Sequence, residues 1–309
     1  MLKAFVAGID GGGSKTEALL VEVKTGETKR FISGGMNALT DDSVVSQANL
    51  QEIMKEIKHW LASNQGCLAS ICLGSASMVR EDEQDWEVKL IADFFPQAQI
   101  QGVADGRIAL IGALDGSPGV IVVAGTGSVA YALDEAGILR RCGGFGPIFG
   151  DEGSGYAIGR DALQAVAMDL DGRGESTLLT GVLQQRLSFE SEESLIEKVY
   201  GEMSRKQIAA LAQEVGICAQ KNDPVSLRIL DHAAKQLAVH YLRLLAQSHW
   251  SVPPPLSYAG GVFQMGGSIL RPLEHYLGSW AERLIPPKHT PVYGAVRLAK
   301  QALGDVRCE

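Results

Sequence analysis

The sequence contains no long uninterrupted apolar run and no excess of basic residues. Its 28 Lys and Arg residues stand against 36 Asp and Glu residues, so the formal net charge is −8 and a nucleic-acid partner is not expected. The longest apolar stretch, residues 120–133, is interrupted by Gly125-Thr-Gly-Ser and is too short to span a bilayer. Neither this stretch nor any basic block predicts binding to a membrane.

Cysteine and histidine are also sparse, and neither forms a ligand-like cluster. Five cysteines without a repeated paired spacing predict reduced thiols rather than a disulfide framework, an iron–sulfur cluster or a zinc site. The six histidines include no pair with metal-ligand spacing inside a motif. No charged and then apolar leader precedes the first predicted strand, so we expect a cytoplasmic location.

A glycine-rich turn near the start of the chain joins two apolar segments. Residues 5–10 lead into Gly11-Gly-Gly-Ser-Lys15-Thr16, and a short apolar segment follows. The turn is not a Walker loop, because Lys15 comes one position too late. It is not a dinucleotide fingerprint either, because Thr16 stands where a third glycine is required. Taken alone, the turn is equally well explained as an ordinary tight β-turn.

The same arrangement returns in the middle of the chain. Residues 120–124 are apolar, Gly125-Thr-Gly-Ser128 forms a turn of small residues, and residues 129–133 are apolar again. Glycines let backbone N–H groups approach phosphate oxygens closely, and Ser or Thr adds a hydroxyl donor. We therefore predict two strand–turn–strand loops that bind one polyphosphate from opposite sides.

The 309 residues indicate about two domains, and apolar periodicity outlines their elements. In the first part, helices and strands alternate around a sheet: a helix over 41–63, a strand from 70, a helix over 80–95, a strand over 100–103 that ends at Asp105, and a helix over 108–114. In the second part, the predicted order is a strand from 120, a Gly-rich segment over 142–155, mostly helix up to 250, a strand over 256–259 that breaks at Gly260-Gly261, and a helix over 292–303.

Three motifs together identify a family. They are Gly8-Ile-Asp-Gly-Gly-Gly-Ser-Lys-Thr16, Ala124-Gly-Thr-Gly-Ser128, and the segment over 142–154 with its more specific end Gly150-Asp-Glu-Gly-Ser154. They resemble the N-acetylglucosamine kinase family, which groups with the BadF/BadG/BcrA/BcrD-type ATPases in the actin, Hsp70 and sugar-kinase superfamily. Residues 259–262 and 291–296 also match, so the resemblance covers nearly the whole chain. One departure is Leu73-Gly-Ser-Ala-Ser77, where relatives more often carry an Ala-Gly pair.

The resemblance implies an α/β, two-lobed, actin-like ATPase (ribonuclease H-like) fold with the nucleotide and the sugar in the cleft between the lobes. The expected N-terminal lobe covers residues 1–115, and the expected C-terminal lobe covers residues 116–290. A C-terminal helix within 291–309 is expected to pack back on the N-terminal lobe. The oligomeric state is left open, with a homodimer among the alternatives.

Residue by residue, the resemblance implies a set of binding roles for ATP, Mg²⁺ and an amino sugar. Asp10 is expected to hold Mg²⁺ through water, and Asp105 to be the catalytic base. The residues expected to bind ATP and its phosphates are Gly11, Gly12, Gly13, Ser14, Thr16, Gly125, Thr126, Gly127, Ser128, Gly260 and Gly261. The residues expected to line the sugar pocket are Asn37, Gly144, Phe145 and Asp151.

Two of these acids also have a purely structural interpretation. Asp105 follows a short apolar strand, where an acid faces the ligand crevice of an open α/β sheet, but it is also well placed to cap the next helix. Asp151 is expected to contact the sugar, although it is also suited to the start of a helix. We favour the functional interpretation for both because the other motifs accompany them.

The implied activity is ATP-dependent phosphorylation of an amino sugar, with N-acetylglucosamine converted to its 6-phosphate. A glucosamine kinase is the alternative with the same chemistry. An ATPase that activates an acyl-CoA dehydratase requires a cysteine placed for an iron–sulfur cluster, and no clear candidate is present. A sugar-sensing repressor requires an N-terminal DNA-binding helix pair and a zinc cysteine cluster, and the sequence shows neither.

Overall fold

The computed structural model describes residues 2–13, 15–36, 43–75, 78 and 86–303. The chain divides into two compact units, one made of Met1–Pro118 together with Pro286–Glu309 and the other of Gly119–Ile285. None of the helices in the described residues combines the length and the apolar character that a membrane span requires.

The first unit is built on a five-stranded sheet. Its elements in chain order are β1 (Lys3–Gly11), β2 (Lys15–Glu22), β3 (Thr28–Gly34), α1 (Ser43–Ser63), β4 (Gly66–Ser75), α2 (Trp86–Phe94), β5 (Gln99–Ala104) and α3 (Asp105–Leu114). The strand order is β3-β2-β1-β4-β5. The β1–β2–β3 meander is antiparallel, and β4 and β5 continue parallel to β1.

The core of this unit lies between α1 and one face of the sheet. Phe5, Ala7 and Ile9 of β1 are almost fully buried there, as are Ile53 and Ile57 of α1. Alternate residues of a strand point to opposite faces, so β1 turns Gly8 and Asp10 to the other face. β1 is the central strand of this mixed sheet, and its nearly unbroken apolar sequence is that of a strand with both faces covered.

The second unit is built on a four-stranded sheet with the order β8-β7-β6-β9. Its strands and first helices are β6 (Gly119–Ala124), β7 (Ser128–Leu133), β8 (Leu139–Gly143), α4 (Gly155–Leu170), α5 (Leu178–Leu187), α6 (Glu192–Glu197), a π-helical turn (Lys198–Glu202), α7 (Arg205–Ala210) and α8 (Ala212–Gln220). They are followed by α9 (Pro224–Gln247), β9 (Leu256–Ala259), a 3₁₀ turn (Gly261–Met265), α10 (Gly267–Leu277) and a second 3₁₀ turn (Gly278–Arg283).

The long helix α9 has clear start signals. Asp223 accepts the N–H of Ser226 as the N-cap, and Pro224 occupies the first helical position. The same carboxylate accepts the hydroxyl of Thr177 at 2.8 Å and the N–H of Leu178 at 3.0 Å, so it also joins the start of α5. The apolar face of α9 packs into the core of the second unit.

The last described helix, α11 (Pro291–Leu303), belongs to the first unit and packs against α3 and β1. Its backbone approaches both elements closely. A Cβ at Gly294 would overlap the carbonyl oxygen of Ile108 in α3, and a Cβ at Gly8 of β1 would lie 2.6 Å from the carbonyl oxygen of Val292. Glycines therefore set the spacing between β1, α3 and α11.

Candidate active site

Two carboxylates lie at the carboxyl edge of the first sheet. Asp10 is next to the end of β1, and Asp105 follows β5 directly. Between them lies β4, whose Gly74 pairs with Asp10 on one side and with Val103 on the other. Since neighbouring strands are about 4.8 Å apart, about two strand spacings separate the two acids. Ligands of open α/β sheets bind at this edge.

Burial and neighbouring negative charges raise the pKa of Asp10 from 3.8 to about 7. Loss of hydration is the largest cause, the charges of Asp105 and Glu17 add to it, and Lys15 acts in the opposite direction. Glu17 faces Asp10 across the β1–β2 pair and lies 2.8 Å from Lys15 and 2.9 Å from Arg30. This group of acids favours either a bound proton or a bound cation near Asp10.

The donor set at this edge fits Mg²⁺ held through water. Mg²⁺ prefers oxygen ligands, keeps several waters, and is usually bound by one or two carboxylates together with substrate phosphates. Within the described ranges, no three Asp, Glu, His or Cys side chains converge into a complete ligand set. Asp10, supported by the nearby charge of Asp105, therefore fits a metal that takes its remaining ligands from water and nucleotide.

Asp105 is not the N-cap of α3. The cap is Ala104, with extended backbone angles, and Asp105 occupies the first helical position. One of its carboxylate oxygens accepts the N–H of Gly106 at 2.7 Å. The capping interpretation is therefore wrong, and the helix dipole favours a negative charge here. The role of Asp105 as the catalytic base stays a prediction.

The first glycine turn is closed by backbone hydrogen bonds. The N–H of Gly12 donates to the carbonyl of Lys15 at 3.1 Å, and the N–H of Met36 donates to the carbonyl of Gly12 at 2.9 Å. Gly11 is enclosed, since a Cβ there would lie 2.7 Å from Cε of Met36. Gly13 is exposed at the end of the turn. Ligand access to this turn is therefore greatest near Gly13.

Two of the four hydroxyl groups predicted to bind phosphate are used inside the protein. Thr16 is fully buried and donates to the carbonyl of Gly34 at 2.8 Å. Ser128 donates to the carbonyl of Glu152 at 2.6 Å. Both donors are thus committed to the fold in this structure. The other two predicted residues of the first unit, Ser14 and Asn37, lie outside the described residues.

The second glycine turn is attached to the start of α4. The N–H groups of Gly155 and Tyr156 donate to the carbonyls of Gly125 and Thr126, at 2.8 and 3.2 Å. A Cβ at Gly125 would meet none of the described atoms within 4 Å. The carbonyls of Gly125 and Thr126 therefore face α4, while the side of the turn at Gly125 is open to a ligand.

Asp151 and Arg205 form an ion pair against this turn. Asp151 is 4% exposed, has the left-handed φ of 58°, and accepts a hydrogen bond from Nη2 of Arg205. Burial raises the pKa of Asp151, although Arg205 and the N–H groups of Ser128 and Gly146 lower it. A Cβ at Gly127 would lie 2.8 Å from both Oδ2 of Asp151 and Nη2 of Arg205, so the pair touches the turn.

No sequence motif indicated Arg205. It begins the short helix α7 after the capping residue Ser204, and this position is an ordinary one for a surface arginine. Its partner Asp151 is 54 positions away in the chain, so only the tertiary structure brings the two side chains together.

Two further residues predicted to line the sugar pocket, Gly144 and Phe145, lie between β8 and α4. Gly144 has a φ of 73°, and its carbonyl accepts a hydrogen bond from Arg141. Phe145 is 63% exposed, and its ring centroid lies 6.0 Å from that of Phe149. This loop therefore presents aromatic surface that a ligand can cover.

A second acid of the same segment, Glu152, faces a buried histidine. Oε2 of Glu152 lies 3.7 Å from Nε2 of His240. Burial is the largest influence on His240 and lowers its pKa, although the charges of Glu152 and Asp151 raise it. The neutral form of His240 is therefore favoured, and Glu152 is a weakly compensated carboxylate close to Asp151.

The two glycines after β9 have different reasons to lack a side chain. Gly260 has a φ of 105°, and a Cβ there would overlap the carbonyl of Ala124 at the end of β6. Contact between strand ends thus explains this glycine without any ligand. A Cβ at Gly261 would meet no described atom within 4 Å, so Gly261 leaves open space. Nucleotide binding by both stays a prediction.

The sequence matches a protein-family model over most of its length. It is also similar over most of its length to proteins whose names describe sugar kinases. The family described as the BadF/BadG/BcrA/BcrD ATPase family matches residues 7–299. An N-acetylmuramic acid/N-acetylglucosamine kinase of Clostridium acetobutylicum is 32% identical over 96% of this chain and 98% of its own. An N-acetyl-D-glucosamine kinase of Dictyostelium discoideum is 30% identical over 87% of this chain and 88% of its own.

A solved structure has the same fold. It is a provisionally named N-acetylglucosamine kinase from Chromobacterium violaceum, with a TM-score of 0.76, 26% identity, and coverage of 96% of this chain and 99% of that protein. The predicted actin-like α/β fold is thereby confirmed.

Proposed function

The chain belongs to the BadF/BadG/BcrA/BcrD ATPase family, and on that basis we propose that it is an ATP-dependent kinase that converts N-acetylglucosamine to its 6-phosphate. One observation carries the proposal: Asp10 and Asp105 share the ligand-binding edge of one sheet, beside a glycine turn. The names of the two relatives support the choice of sugar. We also propose Mg²⁺ as the metal and the cytoplasm as the location.

The proposed reaction transfers the γ-phosphoryl group to a sugar hydroxyl. The hydroxyl oxygen forms a bond to the γ-phosphorus, the bond from that phosphorus to the β–γ bridging oxygen breaks, and ADP leaves. Asp105 accepts the proton of the hydroxyl, which requires that it be ionised when the sugar binds. Bound Mg²⁺, held by Asp10 through water, would neutralise phosphate charge. The glycine turns position the phosphates for in-line transfer, which is most of what this chemistry requires.

The acceptor proposal rests on the surroundings of Asp151. A free ammonium group of glucosamine would be stabilised by an uncompensated carboxylate, whereas a neutral acetamide needs polar partners and an apolar wall for its methyl group. Asp151 already pairs with Arg205, which leaves it less able to compensate another cation. Phe145 supplies exposed apolar surface in the same loop. Both features favour the acetylated sugar.

Glucosamine is the second candidate because Glu152 lies next to Asp151. Its side chain is 45% exposed, and its neighbour His240 favours the neutral form. Glu152 therefore offers a negative charge that an ammonium group could use.

An ADP-release assay tests the proposal. The purified protein is incubated with MgATP and one of five sugars: N-acetylglucosamine, N-acetylmuramic acid, glucosamine, N-acetylmannosamine or glucose. We expect the fastest turnover with N-acetylglucosamine, and phosphate at the 6-position by NMR. ADP release that no sugar increases would contradict the kinase assignment, and EDTA should abolish turnover if a divalent metal is needed.

A further inference from the structure

We propose that Arg205 binds the polyphosphate of ATP at the second glycine turn. The inference rests on the proposed function, and it assigns a cationic contact that no sequence motif indicates. The class of ligand is a nucleoside triphosphate, and the group recognised is a phosphate oxygen.

The first argument is position. The space next to the Cα of Gly127 is bounded by Nη2 of Arg205 and Oδ2 of Asp151, each 2.8 Å from where a Cβ would stand. The guanidinium group therefore lies against the turn formed by Gly125, Thr126 and Gly127. A phosphate bound at this turn would be within reach of an arginine beside it.

The second argument is the hydrogen-bonding capacity of Arg205. A guanidinium group has five N–H donors in a planar fork that matches phosphate oxygens. In Arg205, Nη2 donates to Asp151, while Nε is buried and has no partner within the described part of the chain. A buried N–H without an acceptor is costly, so Asp151 alone does not satisfy the donors of Arg205. The side chain keeps 25% of its surface exposed, so a ligand can reach it.

The third argument is that Asp151 orients the arginine. Asp151 is held by hydrogen bonds from the N–H groups of Ser128 and Gly146. An arginine fixed in this way by a buried acid has lost its rotational freedom before the ligand arrives, which lowers the entropic cost of binding. The overall charge of −8 makes such a local cation useful, because the protein as a whole repels nucleotide phosphates.

Calorimetric titration without sugar tests the assignment, using a non-hydrolysable ATP analogue, ADP and adenosine with Mg²⁺. Arg205→Gln should weaken analogue binding tenfold or more, equivalent to about 1.4 kcal/mol, and leave adenosine binding unchanged. Loss of ADP affinity as well would assign the contact to the β-phosphate, and its retention would assign it to the γ-phosphate. The matched control is Arg173→Gln, which removes an exposed arginine paired with Asp171 and should change nothing.

A double variant separates direct contact from simple neutralisation of Asp151. If Arg205 only compensates that acid, Asp151→Asn combined with Arg205→Gln should restore analogue affinity. If Arg205 touches phosphate, the double variant should stay as weak as Arg205→Gln, and Arg205→Lys should recover only part of the affinity. Restored affinity in the double variant, or unchanged affinity in folded Arg205→Gln, would overturn the assignment.

The same measurements keep this inference distinct from the proposed function. A wild-type protein that binds the analogue but phosphorylates no sugar would remove the proposed acceptor and leave the assignment of Arg205 standing. A wild-type protein that binds no analogue would overturn both.

Discussion

Among single residues, the proposed chemistry depends most on Asp105, whose carboxylate is the proposed base. Asp105→Asn should lower kcat by about 10²–10⁴, the usual contribution of general acid–base catalysis, while calorimetric affinity for an ATP analogue stays unchanged. Asp93→Asn is the control, because Asp93 is an exposed acid of α2 in the same unit. Near-normal turnover by a folded Asp105→Asn protein would leave the acid with a structural role only.

Asp10 should make stability depend on pH. Its folded pKa of about 7 lies above the ordinary 3.8, so the folded protein keeps a proton that the unfolded chain loses between these values. Asp10 therefore lowers the free energy of unfolding least below about pH 4 and most above pH 7. Asp10→Asn should raise the free energy of unfolding at pH 8 by on the order of 4 kcal/mol, and change it little at pH 4.

Urea unfolding of both proteins in EDTA at the two pH values checks this prediction. EDTA is included because a bound metal would stabilise the wild type alone. An equal change at pH 4 and pH 8, or destabilisation at pH 8, would contradict it.

At the scale of single elements, variants of the second glycine turn can distinguish a role in stability from a role in ligand binding. A Cβ at Gly125 enters open space, and its φ is not positive, so Gly125→Ala should leave the thermal transition unchanged. If the turn binds phosphate, that variant should still weaken ATP-analogue binding by about tenfold. Gly127→Val should weaken it further, because its side chain displaces Asp151 and Arg205. Unchanged affinity in both variants would make the turn purely structural.

The contact between α11 and α3 should be sensitive to a single methyl group. Gly294→Ala would press a Cβ into the carbonyl of Ile108, and overpacking of this kind costs about 1–3 kcal/mol. Gly181→Ala in α5 is the matched control: its Cβ meets no described atom within 4 Å, and it should stabilise the protein by about 0.5–1 kcal/mol. Equal unfolding free energies for the two variants would contradict close packing at Gly294.

Local pattern was sufficient for some elements and insufficient for others. The apolar runs at 120–133 and 256–259 predicted β6, β7 and β9 directly, because strands buried on both faces leave an unmistakable composition. β8 was missed, since its Leu139-Arg-Arg sequence is stabilised by a pairing of Arg140 with Asp134 that no periodicity reveals. Arg205 and the buried hydroxyl of Thr16 depend likewise on partners distant in sequence.

At the scale of the whole molecule, both sheets begin with the same arrangement. In the first sheet, β1, β2 and β3 form an antiparallel meander, and β1 also pairs in parallel with β4. In the second sheet, β6, β7 and β8 form the same meander, and β6 also pairs in parallel with β9. In each sheet the glycine turn joins the first two strands. The two turns noted in the sequence are thus equivalent positions of two similar sheets. This equivalence is consistent with a common ligand class for both.

The preferred acceptor sugar is a prediction about the activity of the molecule as a whole. The value of kcat/KM should be higher for N-acetylglucosamine than for glucosamine at saturating MgATP. A tenfold or greater advantage for glucosamine, about 1.4 kcal/mol of transition-state stabilisation, would reverse the choice and leave the kinase assignment standing. Glu152→Gln then separates the two cases, since it should reduce turnover of glucosamine only.

The first unit is assembled from two separated stretches of chain, and this has a consequence during synthesis on the ribosome. The second unit, Gly119–Ile285, is continuous and can fold as soon as it emerges, whereas the first still lacks α11. At typical translation rates the intervening segment takes roughly 8–33 s to make. Throughout that interval, the faces of β1 and α3 that later contact α11 are exposed in the nascent chain. A chaperone that binds exposed surface of the first unit would therefore act mainly during this interval.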